Sequence, residues 1–274
     1  DLRINDSAIL AYAKDEVLPI FIFDKNILDK LEKDDKRVTF IYESVLKLKE
    51  DLKKSGLNLA IFYSTPKEVF ENFKNEGFDS ILCSVDFDNY AKKRDEEIAK
   101  IIPMQTFTDS FITHPNDCLK ADKTPYKVFT PYYNNLKFIW DSYKLEEFKT
   151  NKNLKLIPFD FDSIPTLENM GFTKQTLPQF LQKSAYELLE DFEQKIDNYK
   201  VDRDFFDKNA TSNLAVHLRF GLISPRQVFN KIKELKARTE NKEFFIRELF
   251  WREFYNYILF HFPKSETSNL NQIK

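Results

Sequence analysis

The chain has 274 residues, of which 42% are hydrophobic and 31% are charged. This composition is too apolar for a disordered chain, and no apolar run approaches the roughly 20 residues that a membrane span needs. The formal net charge is −2, but residues 199–274 carry 14 Lys and Arg against 9 Asp and Glu, which favours a polyanionic partner there.

Residues 1–112 alternate between strand-like and helix-like segments. The apolar run at 17–23 has the pattern of a strand buried on both faces. Further strands are predicted at 57–63, 80–85 and 104–111, and helices at 37–55, 66–76 and 89–102. This alternation predicts an α/β domain, an open parallel sheet with flanking helices.

The periodicity fades at 113–180, where repeated prolines indicate an interdomain connector with one short helix near 133–148. From about Leu181 the pattern is helical, so we predict an all-α second domain at 181–274.

Cys83 and Cys118 lie far apart, and the three histidines form no HExxH motif. We therefore expect reduced thiols, no metal site and a cytoplasmic protein.

A run of small polar residues precedes a helical pattern in the second domain. It reads Asn-Ala-Thr-Ser-Asn-Leu-Ala at 209–215. Backbone N–H groups at a helix start, helped by the hydroxyls of Thr211 and Ser212, could hold an anion such as a diphosphate. A plain helix N-cap is the alternative. The first domain contains no GxGxxG or P-loop motif.

A second candidate site lies on a predicted helix at 244–260 that is apolar nearly all round. At about 100° per residue, Glu248, Trp251 and Arg252 share one sector. Charges beside an indole on such a helix are costly unless they face a cavity or a ligand. An ordinary Glu248–Arg252 ion pair is the alternative, and spacing leaves both open. The same sector holds Phe244, Tyr255 and Leu259, and the opposite, core sector holds Ile246, Leu249, Phe250, Tyr257 and Phe260.

Several short motifs follow one another in a fixed order along the chain. They are Asp-Leu-Arg at 1–3, Asn-Asp at 5–6, Val-Leu-Pro-Ile-Phe-Ile-Phe-Asp at 17–24, Arg94-Asp95, Tyr-Lys-Val-Phe-Thr-Pro-Tyr at 126–132, Tyr199, Arg203-Asp204, Thr-Ser-Asn-Leu at 211–214, His-Leu-Arg-Phe-Gly-Leu-Ile-Ser-Pro-Arg-Gln at 217–227, and Glu-Leu-Phe-Trp-Arg-Glu-Phe-Tyr at 248–255. In this order they resemble the DNA photolyase/cryptochrome family, that is, deoxyribodipyrimidine photolyases and their relatives. The resemblance implies an antenna-type α/β domain followed by the first part of a helical FAD-binding domain.

The resemblance also implies an activity, the light-driven repair of cyclobutane pyrimidine dimers in DNA. Reduced FAD (FADH⁻) passes an electron to a dimer that is flipped out of the duplex, and the electron returns after the dimer splits. Carried over by position, Glu248 would hydrogen-bond the lesion and Trp251 would stack on the extruded bases. Arg203 and Arg226 would contact DNA phosphates. The expected flavin-binding residues are Tyr199, Thr211, Ser212, Asn213, Leu214, Ala215 and Arg252.

The sequence departs from the family pattern at several positions. Asn213 and Ala215 stand where many relatives carry Arg and Ser, which predicts weaker FAD binding. Phe245 replaces a tryptophan common on the flavin side of the helix. Tyr90 and Ala91 replace the Asn-Glu pair of folate-binding relatives, so we expect no folate antenna of that kind, and another antenna chromophore stays unassigned.

The resemblance implies a strand before Asp1 and further helices after Lys274. Without those helices, we expect the 274-residue polypeptide by itself to lack tight FAD binding and repair activity. We also expect a monomer, and, since no apolar run is long enough, no membrane contact. One alternative is a cryptochrome, a blue-light photoreceptor that binds FAD without repair. Another is a non-enzymatic nucleotide-binding protein. Glu248 and Trp251 favour repair, because a light sensor has less need of lesion-contacting residues.

Overall fold

The computed structural model describes residues 1–142 and 144–270. The end of the predicted helical domain, 271–274, lies outside the described residues. The first part of the chain alternates helices and strands as predicted. Its elements are α1 (Ala8–Tyr12), β1 (Glu16–Val17), β2 (Ile20–Asp24), α2 (Lys25–Leu28), α3 (Lys36–Lys54), β3 (Ala60–Ser64), α4 (Pro66–Asn75), β4 (Ile81–Ser84), α5 (Asn89–Ala99) and β5 (Met104–Phe107).

Local sequence signals set the ends of two of these helices. Thr65 and Glu68 form a reciprocal capping box at the start of α4, and Pro66 occupies its first turn. The helices α3 and α4 are followed by Gly56 and Gly77, whose φ angles of 82° and 92° are left-handed. The predicted boundaries of both helices are therefore confirmed to within one residue.

The strands pair in parallel, which confirms the predicted α/β class. β2 pairs with β3 in the register Ile20↔Ala60, and β4 pairs with β5. The prediction of one continuous strand at 17–23 is wrong, because the run divides around Pro19, which has no N–H to donate to a ladder. Its first part, β1, pairs instead with a short strand of the connector, β6 (Lys155–Leu156).

The rest of the described chain is mainly helical. Its helices are α6 (Phe129–Asp141), α7 (Gln179–Gln182), α8 (Ala185–Glu193), α9 (Tyr199–Asp202), α10 (Ala215–Arg219), α11 (Pro225–Glu234) and α12 (Thr239–His261). The connector helix predicted near 133–148 is α6, which begins and ends earlier. It packs against α12, and Tyr132, Phe192, Phe250 and Tyr257 belong to the same buried core. No helix in the described part of the chain is long and apolar enough to cross a membrane.

A buried polar network joins the α/β part to the helical part. The Arg226 guanidinium of α11 forms an ion pair with Asp6 (Nε to Oδ2, 2.9 Å), and Arg3 lies within 3.3 Å of Asp109. Each of these four residues is less than 9% exposed. Buried charges need such partners, so the network fixes the two parts of the chain against each other.

Candidate functional site

The two candidate sites predicted from the sequence meet in one cavity of about 660 Å³. One wall comes from the segment that precedes α10, and the other comes from α12. The predicted residues in the wall are Tyr199, Thr211, Ser212, Leu214, Ala215, Glu248 and Arg252. Asn213, Trp251, Arg203 and Arg226 are not wall residues. A cavity of this size is within the range of cofactor sites.

The segment at 211–215 does not form a plain N-cap. Helix α10 begins at Ala215, and its first turn receives no side-chain cap. The Ser212 hydroxyl accepts from the N–H of Leu214 at 3.4 Å, and Asn213 has a left-handed backbone with φ of 57°. The first-turn N–H groups have no acceptor within the helix. Ala215, the first residue of that turn, is part of the cavity wall.

Glu248 has a partner that the sequence did not reveal. Its Oε1 accepts from Nη1 of Arg203 at 2.5 Å, and the two side chains are 37% and 29% exposed. The Arg203 guanidinium also lies 5.6 Å from the ring centre of Tyr199. Burial raises the pKa of the Tyr199 hydroxyl to about 12, so this wall residue is a neutral hydrogen-bonding group. The pair places opposite charges at the edge of the cavity.

The predicted sectors of α12 are largely confirmed. Glu248, Arg252, Tyr255 and Leu259 line the cavity. Trp251 is half-buried and stacks on Phe129, with ring centres 3.6 Å apart and planes 10° apart. In the opposite sector Phe260 is only partly buried, whereas the other predicted core residues are buried: Ile246, Leu249, Phe250 and Tyr257. Leu249 also reaches the cavity wall.

The alternative Glu248–Arg252 pair does not form, because Arg252 turns to a different carboxylate. Its Nη1 lies 3.3 Å from Glu253 and donates to the carbonyl of Ser110 at 2.9 Å. Glu253 is 3% exposed and accepts from the N–H of Ile112 at 2.9 Å. Burial raises the pKa of Glu253 to about 7, although Arg252 acts in the opposite direction. The sequence indicated no role for Glu253, whose only signal is that it is a carboxylate on an apolar helix.

Arg226 is buried between the two parts of the chain, so the expectation that it contacts DNA phosphates is wrong. Besides its ion pair with Asp6, it donates to the carbonyls of Phe111 at 2.6 Å and Asp109 at 2.7 Å. A phosphate contact requires an exposed guanidinium, whereas this side chain is 9% exposed. Arg203 is half-buried at the cavity edge, and its DNA contact stays a prediction.

The α/β part supplies wall residues that the sequence analysis missed. Asp86 and Asp88 line the cavity next to Arg219 of α10. Asp86 forms an exposed ion pair with Arg219 at 3.4 Å across the junction. These two residues are 133 positions apart in the chain, and no local sequence pattern indicates a contact between them. The cavity therefore lies between the two parts of the chain.

Comparisons with known proteins agree with this architecture. The family model described as DNA photolyase matches residues 1–151. The deoxyribodipyrimidine photo-lyase of Alkalihalophilus pseudofirmus is 28% identical over 243 residues, which cover 82% of this chain and 49% of the relative. An archaeal photolyase from Sulfolobus tokodaii, whose crystal structure contains two FAD molecules, matches with a TM-score of 0.77 at 26% identity, over 96% of this chain and 58% of that one.

A cryptochrome from Synechocystis sp. shares the fold, with a TM-score of 0.83 at 18% identity, over 98% of this chain and 61% of that one. The chain thus spans between about half and three fifths of the length of these proteins. The family match covers more than half of the chain, and the parallel strands and the helical part follow the same architecture. The chain belongs to the DNA photolyase family.

Proposed function

We propose that the whole protein repairs cyclobutane pyrimidine dimers in DNA by a light-driven reaction that depends on reduced FAD. One observation carries the proposal. The polar segment at 211–215 and the Glu248 face of α12 line the same cavity, although the sequence presents them as separate features. On this proposal a flavin held at 211–215 and a lesion held by Glu248 would be adjacent, as electron transfer from the flavin to the lesion requires.

The residues present fit the diphosphate part of FAD. The uncapped first turn of α10 offers backbone N–H groups, and Thr211 and Ser212 add hydroxyl donors. The guanidinium of Arg252 in the same wall adds positive charge, and Tyr199 closes the site beside them. When bound, reduced FAD supplies the photo-excited electron that splits the dimer and that returns afterwards.

The protein's own groups would bind and orient the lesion. Glu248 stands at the cavity edge and is 37% exposed, so its carboxyl group can meet the polar edge of an extruded base. Trp251 offers a stacking surface, worth about 1–3 kcal/mol per base in other proteins. When DNA draws Glu248 away, Arg203 becomes available to a phosphate.

The test is illumination of the whole protein with dimer-containing DNA, followed by measurement of the remaining dimers. Glu248→Ala and Trp251→Ala should each lower repair, the latter by about 5- to 150-fold, since 1–3 kcal/mol of stacking is lost. Glu240→Ala is the matched control, because Glu240 lies on the same helix, pairs with Lys200 and is not a cavity residue. Repair that is unchanged by both test substitutions would contradict the site assignment.

A photoreceptor of the cryptochrome type is the second candidate. The Arg203–Glu248 pair favours it, since both residues already satisfy each other without DNA. A photoreceptor would respond to light through its flavin but leave dimers intact in the same assay. A non-enzymatic nucleotide-binding protein would carry no flavin at all.

A further inference from the structure

The segment at 126–132 is a motif whose purpose the proposed function does not explain. Its central residue, Phe129, is the first residue of α6 and is 3% exposed. Its ring lies flat against the indole of Trp251, 3.6 Å away between ring centres and 10° from parallel. The motif therefore contacts α12 at the residue that we propose to stack on extruded bases.

Phe129 is itself packed among other aromatic rings. Tyr133, one helical turn later, stacks on it at 5.6 Å and 18°, and Phe254 meets its ring edge-to-face at 5.7 Å. The guanidinium of Arg247 lies 5.5 Å from its centre. Ring packing of this kind restricts both the position and the plane of an aromatic side chain.

The next ring along the stack is exposed to solvent. Tyr255 lies 5.7 Å from Trp251 with planes 29° apart, and it is 67% exposed. The four rings thus run from the buried Tyr133 through Phe129 and Trp251 to the exposed Tyr255. The Trp251 indole therefore stacks on the buried ring of Phe129 and also on the exposed ring of Tyr255.

We propose that Phe129 is a positioning residue that holds the Trp251 indole in the plane needed for stacking on an extruded base. This inference rests on the proposed function. The χ2 torsion of a tryptophan is broad, so an unsupported indole would lose orientational freedom when a base binds. A ring fixed beforehand avoids that entropic cost and binds the base more tightly.

The test compares the affinity of the whole protein for a dimer-containing duplex and for the same undamaged duplex. Phe129→Met removes the ring but keeps an apolar side chain of similar size, and it should lower the damaged-to-undamaged affinity ratio by about 3- to 10-fold. Phe129→Tyr keeps the aromatic ring, so its damaged-to-undamaged affinity ratio should stay near that of the wild type. Phe73→Met is the matched control, since Phe73 is 5% exposed and belongs to the α/β part. If Phe129→Met does not fold, Tyr133→Leu weakens the same stack and should cause a smaller loss.

A second readout does not depend on DNA. In protein labelled with 5-fluorotryptophan, the Trp251 resonance is assigned by its absence from Trp251→Phe. Phe129→Met should broaden or split that resonance, because the indole samples several orientations, and Phe73→Met should leave it unchanged. A single sharp resonance in Phe129→Met would overturn the inference.

The possible failures can be told apart. A wild-type protein without preference for damaged DNA would contradict the proposed function and, with it, the base-binding part of the inference. A wild-type preference that Phe129→Met retains, or that Phe73→Met loses equally, would overturn the inference alone.

Discussion

At the scale of single residues, Glu253 shows how burial changes the chemistry of a carboxyl group. It lies beside Arg252 in the junction between the two parts of the chain and accepts from the backbone of Ile112. Burial nevertheless raises its pKa to about 7. The protonated form is thus favoured by folding, which ties the stability of the junction to pH.

Glu253→Gln should remove part of the pH dependence of stability. The pKa of Glu253 in the folded protein lies above its ordinary value of 4.5. Its contribution to the free energy of unfolding is therefore fully present below pH 4.5 and is lost as the pH rises through about 7. As the pH rises from 4.5 to 7, the melting temperature of the wild type should therefore decrease relative to that of Glu253→Gln. The decrease should correspond to a loss of at most about 3 kcal/mol in the free energy of unfolding. A difference that is constant, or that grows with pH, would contradict the pKa assignment.

At the scale of elements, the segment before α10 depends on a backbone turn as much as on side chains. Asn213 has a φ of 57°, a conformation that asparagine and glycine tolerate and that β-branched residues avoid. Asparagine at this position, where the family pattern has arginine, is therefore compatible with the turn. It supplies a backbone shape that presents the neighbouring Ser212 and Leu214 to the cavity.

Substitutions of Asn213 should separate the backbone from the side chain. Asn213→Gly keeps the left-handed turn, so flavin affinity in the whole protein should change by less than about 3-fold. Asn213→Val strains the turn by about 1–2 kcal/mol and should weaken flavin binding by about 5- to 30-fold. Flavin titration measures both variants. Equal affinities would show that the turn does not shape the site.

Local signals made these elements predictable, and distant contacts did not. The capping box at Thr65 and the glycines after α3 and α4 act within a few residues, so the sequence displays them directly. The partner of β1, by contrast, is β6, which lies about 140 residues later in the chain. The family resemblance led us to expect Thr211 and Glu248 in the candidate site. It did not indicate that Arg203 pairs with Glu248, because these two residues are 45 positions apart in the chain.

At the scale of the whole molecule, the described chain consists of two parts joined by buried charges and by a shared cavity. The excess of basic residues at 199–274 suggested exposed positive charges. Arg226, however, is buried at the junction between the two parts of the chain. Its partner Asp6 is 220 residues away, so no periodicity could have indicated the pair. The same junction supplies Asp86 and Asp88 to the cavity wall.

Breaking this junction should destabilise the protein strongly. Arg226→Met leaves Asp6 buried without its ion-pair partner and should lower the free energy of unfolding by about 3–5 kcal/mol. Arg219→Met removes only the exposed pair with Asp86 and should cost less than about 1 kcal/mol. Urea unfolding measures both. A small effect of Arg226→Met would show that the network does not hold the two parts together.

The proposed role of the cavity between residues 211–215 and Glu248 is flavin-dependent repair. Counting the pyrimidine dimers left in DNA after incubation with the whole protein, in blue light and in darkness, tests it most directly. We expect the dimers to disappear only in the light, and we expect Glu248→Ala to slow their loss. Dimers that persist under illumination of the flavin-loaded protein would contradict it.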